Sequence, residues 1–152
     1  MAEEQELWED LSAFRMDPET IQECIEAATG CTVTWMDGKG RAMGVWITPA
    51  LIDGEVWVTT TTNRTKTKAW LKDNRTTAIF GVAGLGSVSI IGTVDLTDDP
   101  AKRRRFLEVL YEKSFQQDEA HRERWMGSMD SDGRLVGCIK VEKYITFDER
   151  KA

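Results

Sequence analysis

Residues Asp53 to Arg75, DGEVWVTTTTNRTKTKAWLKDNR, set the terms for the rest of the chain. Asp53-Gly54 is a tight-turn dipeptide. Glu55 to about Thr61 carries the β-branched and aromatic residues of a strand. The strand ends in four threonines, Thr59 to Thr62, and a cationic helix over about Thr65 to Asp73 follows at once. Hydroxyls, the N–H groups of a helix start and the cations Arg64 and Lys66 therefore converge on one corner. That combination suits a phosphate or another small anion. Threonines alone would be explained by a strand with one solvated face. The adjoining Arg64, Lys66 and Lys68 shift that balance, because neighbouring cations repel one another without an anion between them. Lys68 and Lys72 are expected on the solvated face of the helix.

Working outward, the period before this stretch changes from helical to alternating at Gly30. Leu7, Leu11 and Phe14 share one helical face, and Asp17-Pro18 opens a second short helix through Ile21, Cys24, Ile25 and Ala28. Cys31 to Met36 alternates as a strand, Asp37 to Gly40 is a hairpin turn, and a second strand is predicted from Arg41 to Ile52, bent at Pro49. Beyond Arg75, strands are predicted over Thr76–Val82, Ser87–Leu96 and Leu135–Phe147. Between the last two, Asp99-Pro100 opens a long helix with Phe106, Leu107, Leu110 and Tyr111 on its buried face. A polar, helical or irregular stretch then runs to about Met129. The sum is six strands, mostly antiparallel, with flanking helices. This is a mainly β, α+β chain of the kind that closes into a small barrel and so hides its edges. One domain over 1–152 is expected, with a helical extension at 1–30 and the barrel at 31–148.

Composition narrows the function classes. The net charge is −6 over 152 residues, so nucleic acid and anionic membranes are not default partners. No apolar run has the length of a membrane span. The start, MAEEQELWEDL, lacks the basic and apolar regions of a secretory signal. Cys24, Cys31 and Cys138 form no C-x-x-C pair and are read as buried thiols of a cytoplasmic protein. His121 is the only histidine, which leaves no metal-ligand cluster and no Ser/His/Asp triad to argue. The basic run Lys102 to Arg105 is expected to be solvated and paired with Asp95, Asp98 and Asp99.

The segments GKGRAMGVWITPALIDGEVWVTTTTNRTKTKAWLKDNRTTAIF, SVSIIGTVDLTDDPAKRRRFLEVLY and GRLVGCIKVEKYITFDER, in that order, resemble the pyridoxamine 5'-phosphate oxidase-like FMN-binding split-barrel superfamily. The resemblance covers roughly Cys31 to Asp148. It implies a six-stranded antiparallel split barrel and a flavin- or deazaflavin-dependent oxidoreductase acting on a small molecule. It also implies a homodimer with cofactor sites between subunits. Carried onto this sequence, Arg64 and Lys66 match the positions that hold the phosphate of FMN, or the phosphate-bearing tail of a deazaflavin coenzyme. Thr60, with Thr61 beside it, matches the hydroxyl position. Trp46, Ile47 and Thr48 would lie along the isoalloxazine ring and give it backbone contacts.

Three departures bear on activity. Thr65 stands where the family often has arginine, and Asn74 where it often has proline. The closing YITFDER also lacks the histidine of an arginine-x-histidine substrate motif, which argues against vitamin B6 phosphate oxidation. No catalytic side chain is singled out, because the cofactor itself supplies such chemistry. A flavin-binding protein without turnover and a scaffold that has lost its cofactor are the other readings this sequence leaves open.

Overall fold

Pro49 decides the strand count. The computed structural model describes residues 10–152, and the stretch expected to be one bent strand is two: β2 (Ala42–Ile47) and β3 (Ala50–Ile52). Proline has no N–H to give to a ladder, so pairing stops at Thr48-Pro49. The sheet therefore has seven antiparallel strands, not the expected six, in the order β2-β1-β5-β6-β7-β4-β3. The others are β1 (Cys31–Met36), β4 (Glu55–Thr61), β5 (Arg75–Val82), β6 (Gly86–Thr97) and β7 (Arg134–Asp148).

That order has a geometric consequence. β2 and β3 are the two edges of the sheet, yet only Thr48 and Pro49 separate them in sequence. Three Cα–Cα steps reach about 11 Å at most. The sheet must curl until its edges nearly meet, which makes it a split barrel. The turn from β3 into β4 is of the type expected from Asp53-Gly54. Ile52 pairs with Glu55, and both intervening residues have positive φ, 51° at Asp53 and 78° at Gly54. Those are the values of a type I′ hairpin.

The inside is filled by alternate residues. Val33, Val58, Ala78, Phe80, Val88, Ile90 and Val94 are almost fully buried in one cluster, with Trp70 among them and Trp35 packed against it. A second cluster joins Phe106, Leu107 and Leu110 to Ala50, Met126 and Val136, with Trp57 and Trp125 at its margin.

Among the described residues, four α-helices flank the sheet. They are α1 (Pro18–Ala27), α2 (Thr65–Lys72), α3 (Pro100–Ser114) and α4 (Glu119–Met129). Asp99 caps α3, accepting from Ala101 N at 2.9 Å and Lys102 N at 3.1 Å. The polar stretch after α3 is a regular helix, α4, capped by Asp118. The helix expected over Leu7 to Phe14 falls partly outside the described residues; its described part is a single 3-10 turn, Ser12–Phe14.

The basic run on α3 finds other partners than expected. Arg103 is buried and pairs with Asp130 at 2.6 Å, and Arg104 reaches Glu108 at 3.4 Å. Asp95 is taken by Lys140 at 3.0 Å instead.

Candidate functional site

The corner at the end of β4 is built from three elements. β4 alternates, so Val56, Val58 and Thr60 face the barrel interior while Thr59 and Thr61 face outward. The loop Thr62 to Arg64 turns the chain, with Arg64 N bonded to Thr61 O at 3.1 Å. Arg64 then stands at the N-cap of α2. β7 supplies the third side, because Arg134 pairs with Thr61 across the ladder.

The threonines divide the work. Thr60 is buried, and its hydroxyl lies 2.8 Å from that of Thr67. Thr67 Oγ1 donates to Thr61 O at 2.6 Å. Its single proton is spent there, so Thr60 is the donor to Thr67. This chain of two hydroxyls fastens the first turn of α2 to the strand end. Thr61 Oγ1 donates to Asn63 Oδ1 at 2.6 Å, and Thr62 N is tied to Gly133 O at 2.9 Å. Thr61, Thr62, Asn63, Arg64, Ser131 and Gly133 line an open cavity of about 450 Å³ at this point.

Positive charge is left over. The first-turn N–H groups of Thr65, Lys66 and Thr67 have no acceptor among the described residues, and the turn carries no acidic side chain. No ion pair among the described residues includes Arg64, Lys66 or Arg134. Half-buried Lys66 has its pKa lowered first by loss of water, then by the charges of Arg64 and Arg134. Arg134 is lowered in the same way, by desolvation, Arg64 and Arg103. Each of these cations is thus held near others of like sign.

Of the residues singled out in the sequence, Thr61 and Arg64 line this cavity, Thr60 is buried behind it, and Lys66 stands beside Arg64 in the first turn of α2 without lining it. Trp46, Ile47 and Thr48 do not line its cavity. They belong to the edge strand β2 and the bridge to β3, and Trp46 is 58% exposed. The Trp46 ring lies against Gly30, where a Cβ would meet it at 2.6 Å. Asn74, at the position of the family's proline, is anchored through Asp95, with Nδ2 2.8 Å from Oδ1. Lys68 and Lys72 are exposed, as expected. Arg134 and Thr67 were missed. Thr67 lies one helical turn after Asn63 and looks like any helix residue, and Arg134 reaches the corner only through β4–β7 pairing. Among the described residues no three His, Cys, Asp or Glu side chains gather as a metal site.

The topology and the curl closed by Thr48-Pro49 define the class: the fold is a split barrel. Solved structures with this fold agree. A conserved hypothetical protein from Mycobacterium tuberculosis superposes with a TM-score of 0.81 at 17% identity, over 95% of this chain and 92% of the other. An F420 reductase gives 0.64 at 15%, over 85% and 98%. A Clostridium acetobutylicum protein of the pyridoxinephosphate oxidase family, related to general stress protein 26, gives 0.62 at 17%, over 90% and 99%. No family model and no curated protein matches the sequence.

Proposed function

We propose that this protein is a flavin-type oxidoreductase that uses FMN and acts on a small organic molecule. The observation that carries the proposal is the cationic corner at the β4–α2 junction, which has several donors and no carboxylate of its own. Arg64, Lys66 and the first-turn amides of α2 would hold the phosphate. Thr61 would turn its hydroxyl proton from Asn63 Oδ1 to the phosphate, and Thr60 would act from behind, fixing α2 through Thr67. The backbone of Trp46 to Thr48 would lie beside the ring. A bound flavin supplies hydride transfer, and the protein's share is binding and orientation. A deazaflavin coenzyme is the second reading, favoured by the structural likeness to an F420 reductase. The three free cysteines accord with a cytoplasmic setting.

A homodimer belongs to the same proposal. Trp46, Thr32, Ile79, Ser89 and Ile145 form one lateral row across five strands, β2 to β7. Its apolar members are 58%, 40% and 56% exposed. An open sheet face of that character needs a cover, and a second copy of this chain would supply one next to the β2 edge.

The test is a side-by-side absorption and fluorescence titration of the purified protein with FMN and the deazaflavin coenzyme. Saturable binding of one, weakened by about 1.5–3 kcal/mol in Lys66→Ala, is the expected outcome. Binding of neither would leave a scaffold without its cofactor. Binding without multiple-turnover electron transfer to any acceptor would leave a storage or sensing protein.

A further inference from the structure

Arg134 stands out among the cations. Its guanidinium is already positioned: Nε donates to Met129 O at 2.7 Å, and Nη1 donates to Thr59 Oγ1 at 3.2 Å. Nη2 leans on Met129 Sδ at 3.6 Å. These contacts fix the plane of the group but leave guanidinium N–H bonds unused, since the guanidinium has five. The end of α4 thus orients a side chain that begins β7, at the rung of the ladder occupied by Thr61. Nothing negative answers it among the described residues. Asp132, the nearest carboxylate in sequence, is exposed and makes no ion pair with it, and Asp130 is committed to Arg103 at 2.6 Å and approached by Arg104 at 3.7 Å. A half-buried, preoriented and unpaired guanidinium is a costly thing to keep, and bidentate oxyanion recognition is the use to which arginine is best suited.

We propose that Arg134 is a third cationic ligand of the anion at this corner, and that Arg64, Lys66 and Arg134 together select a phosphate monoester in its dianionic form. The proposal rests on the phosphate-anchoring reading given above. Arg64 lines the cavity, and Lys66 of α2 and Arg134 of β7 stand close enough to it for their charges to be felt, so all three could reach a phosphate held there. Arg103 of α3 stands behind them with its charge met by Asp130. The unpaired cations outnumber the one unpaired carboxylate nearby, exposed Asp132 between Ser131 and Gly133, so the second ionisation of the ligand, near pH 6, governs affinity on the acid side.

The experiment titrates wild type, Arg134→Gln, Arg134→Lys and Lys66→Ala with FMN and with riboflavin, which shares the ring and lacks the phosphate. Saturable binding of the deazaflavin coenzyme and not of FMN would overturn selection of a monoester dianion, because the phosphate of that coenzyme is a diester with a single ionisation. Arg134→Gln should raise the Kd for the phosphate-bearing cofactor by about 10- to 100-fold, leave riboflavin unchanged, and be partly rescued by Arg134→Lys. Should Arg134→Gln fail to fold, wild-type affinity measured from pH 5 to pH 8 decides. A loss of affinity below about pH 6, absent with riboflavin, supports dianion selection. Unchanged FMN affinity in Arg134→Gln, with weakened affinity in Lys66→Ala, removes Arg134 and leaves the corner standing. If neither cofactor binds wild type and inorganic phosphate does not raise its Tm, the corner is not an anion site and both readings fall.

Discussion

At the scale of the residue, Lys66 sets function against stability. Its pKa is lowered from the ordinary 10.5, so the folded chain holds that proton less tightly than the unfolded one. The cost of keeping Lys66 charged is full below its folded pKa and vanishes as pH rises above 10.5. Lys66→Met should therefore raise the Tm of the cofactor-free protein at pH 7, by no more than about 2 °C because solvent screens a partly exposed charge. The gain should shrink as the pH is made alkaline, and calorimetry at two pH values checks both. The thiols offer a second test. Burial pushes Cys31 up to about 12, and burial together with Glu55 as hydrogen-bond acceptor, at 2.8 Å, pushes Cys138 there too. Cys24 is raised by burial as well. At pH 8 a disulfide reagent should leave all three unreacted in the native state and titrate three thiols in guanidinium. Cys138 was expected to be buried and is only partly so; its hydrogen bond to Glu55 adds to that partial burial as a source of inertness. Such a detail depends on β7 lying beside β4, which no local pattern discloses.

At the scale of the element, local chemistry carried most of the prediction. Asp53-Gly54 gave its turn and Asp99-Pro100 its capped helix, because both depend on residues within one turn of each other. Asp99→Ala should cost about 1 kcal/mol in urea unfolding, through loss of two bonds to first-turn N–H groups. The bend at Pro49 was readable and its meaning was not. Proline announces that a ladder stops, but whether the chain resumes in the same pair or crosses to the far edge is decided by the curl of the whole sheet. Arg134 was hidden for the same reason, being 75 residues from its acceptor Thr59. The partners of the α3 basic run were missed because Asp130 comes from the end of α4, where helicity itself was uncertain from a polar sequence.

At the scale of the whole molecule, charge and exposure point in different directions. The protein is acidic overall while its candidate site is cationic, so an anionic ligand has one favourable place to settle. The exposed row through Trp46, Ile79 and Ile145 predicts association. Ile79→Lys should turn a dimer into a monomer by analytical ultracentrifugation, with circular dichroism unchanged, since Ile79 faces away from the core. A wild type that sediments as a monomer at tens of micromolar would remove the dimer from the proposal. The two-residue bridge at Thr48-Pro49 has a consequence for the order in which the structure comes apart. A short, stiff link between the two edges acts as a latch: β2 cannot peel away from β1 without pulling β3 off β4. Native-state hydrogen exchange should then show the paired amides of both edges opening at one common free energy. A flexible insertion between Thr48 and Pro49 should uncouple them, so that each edge frays at its own rate.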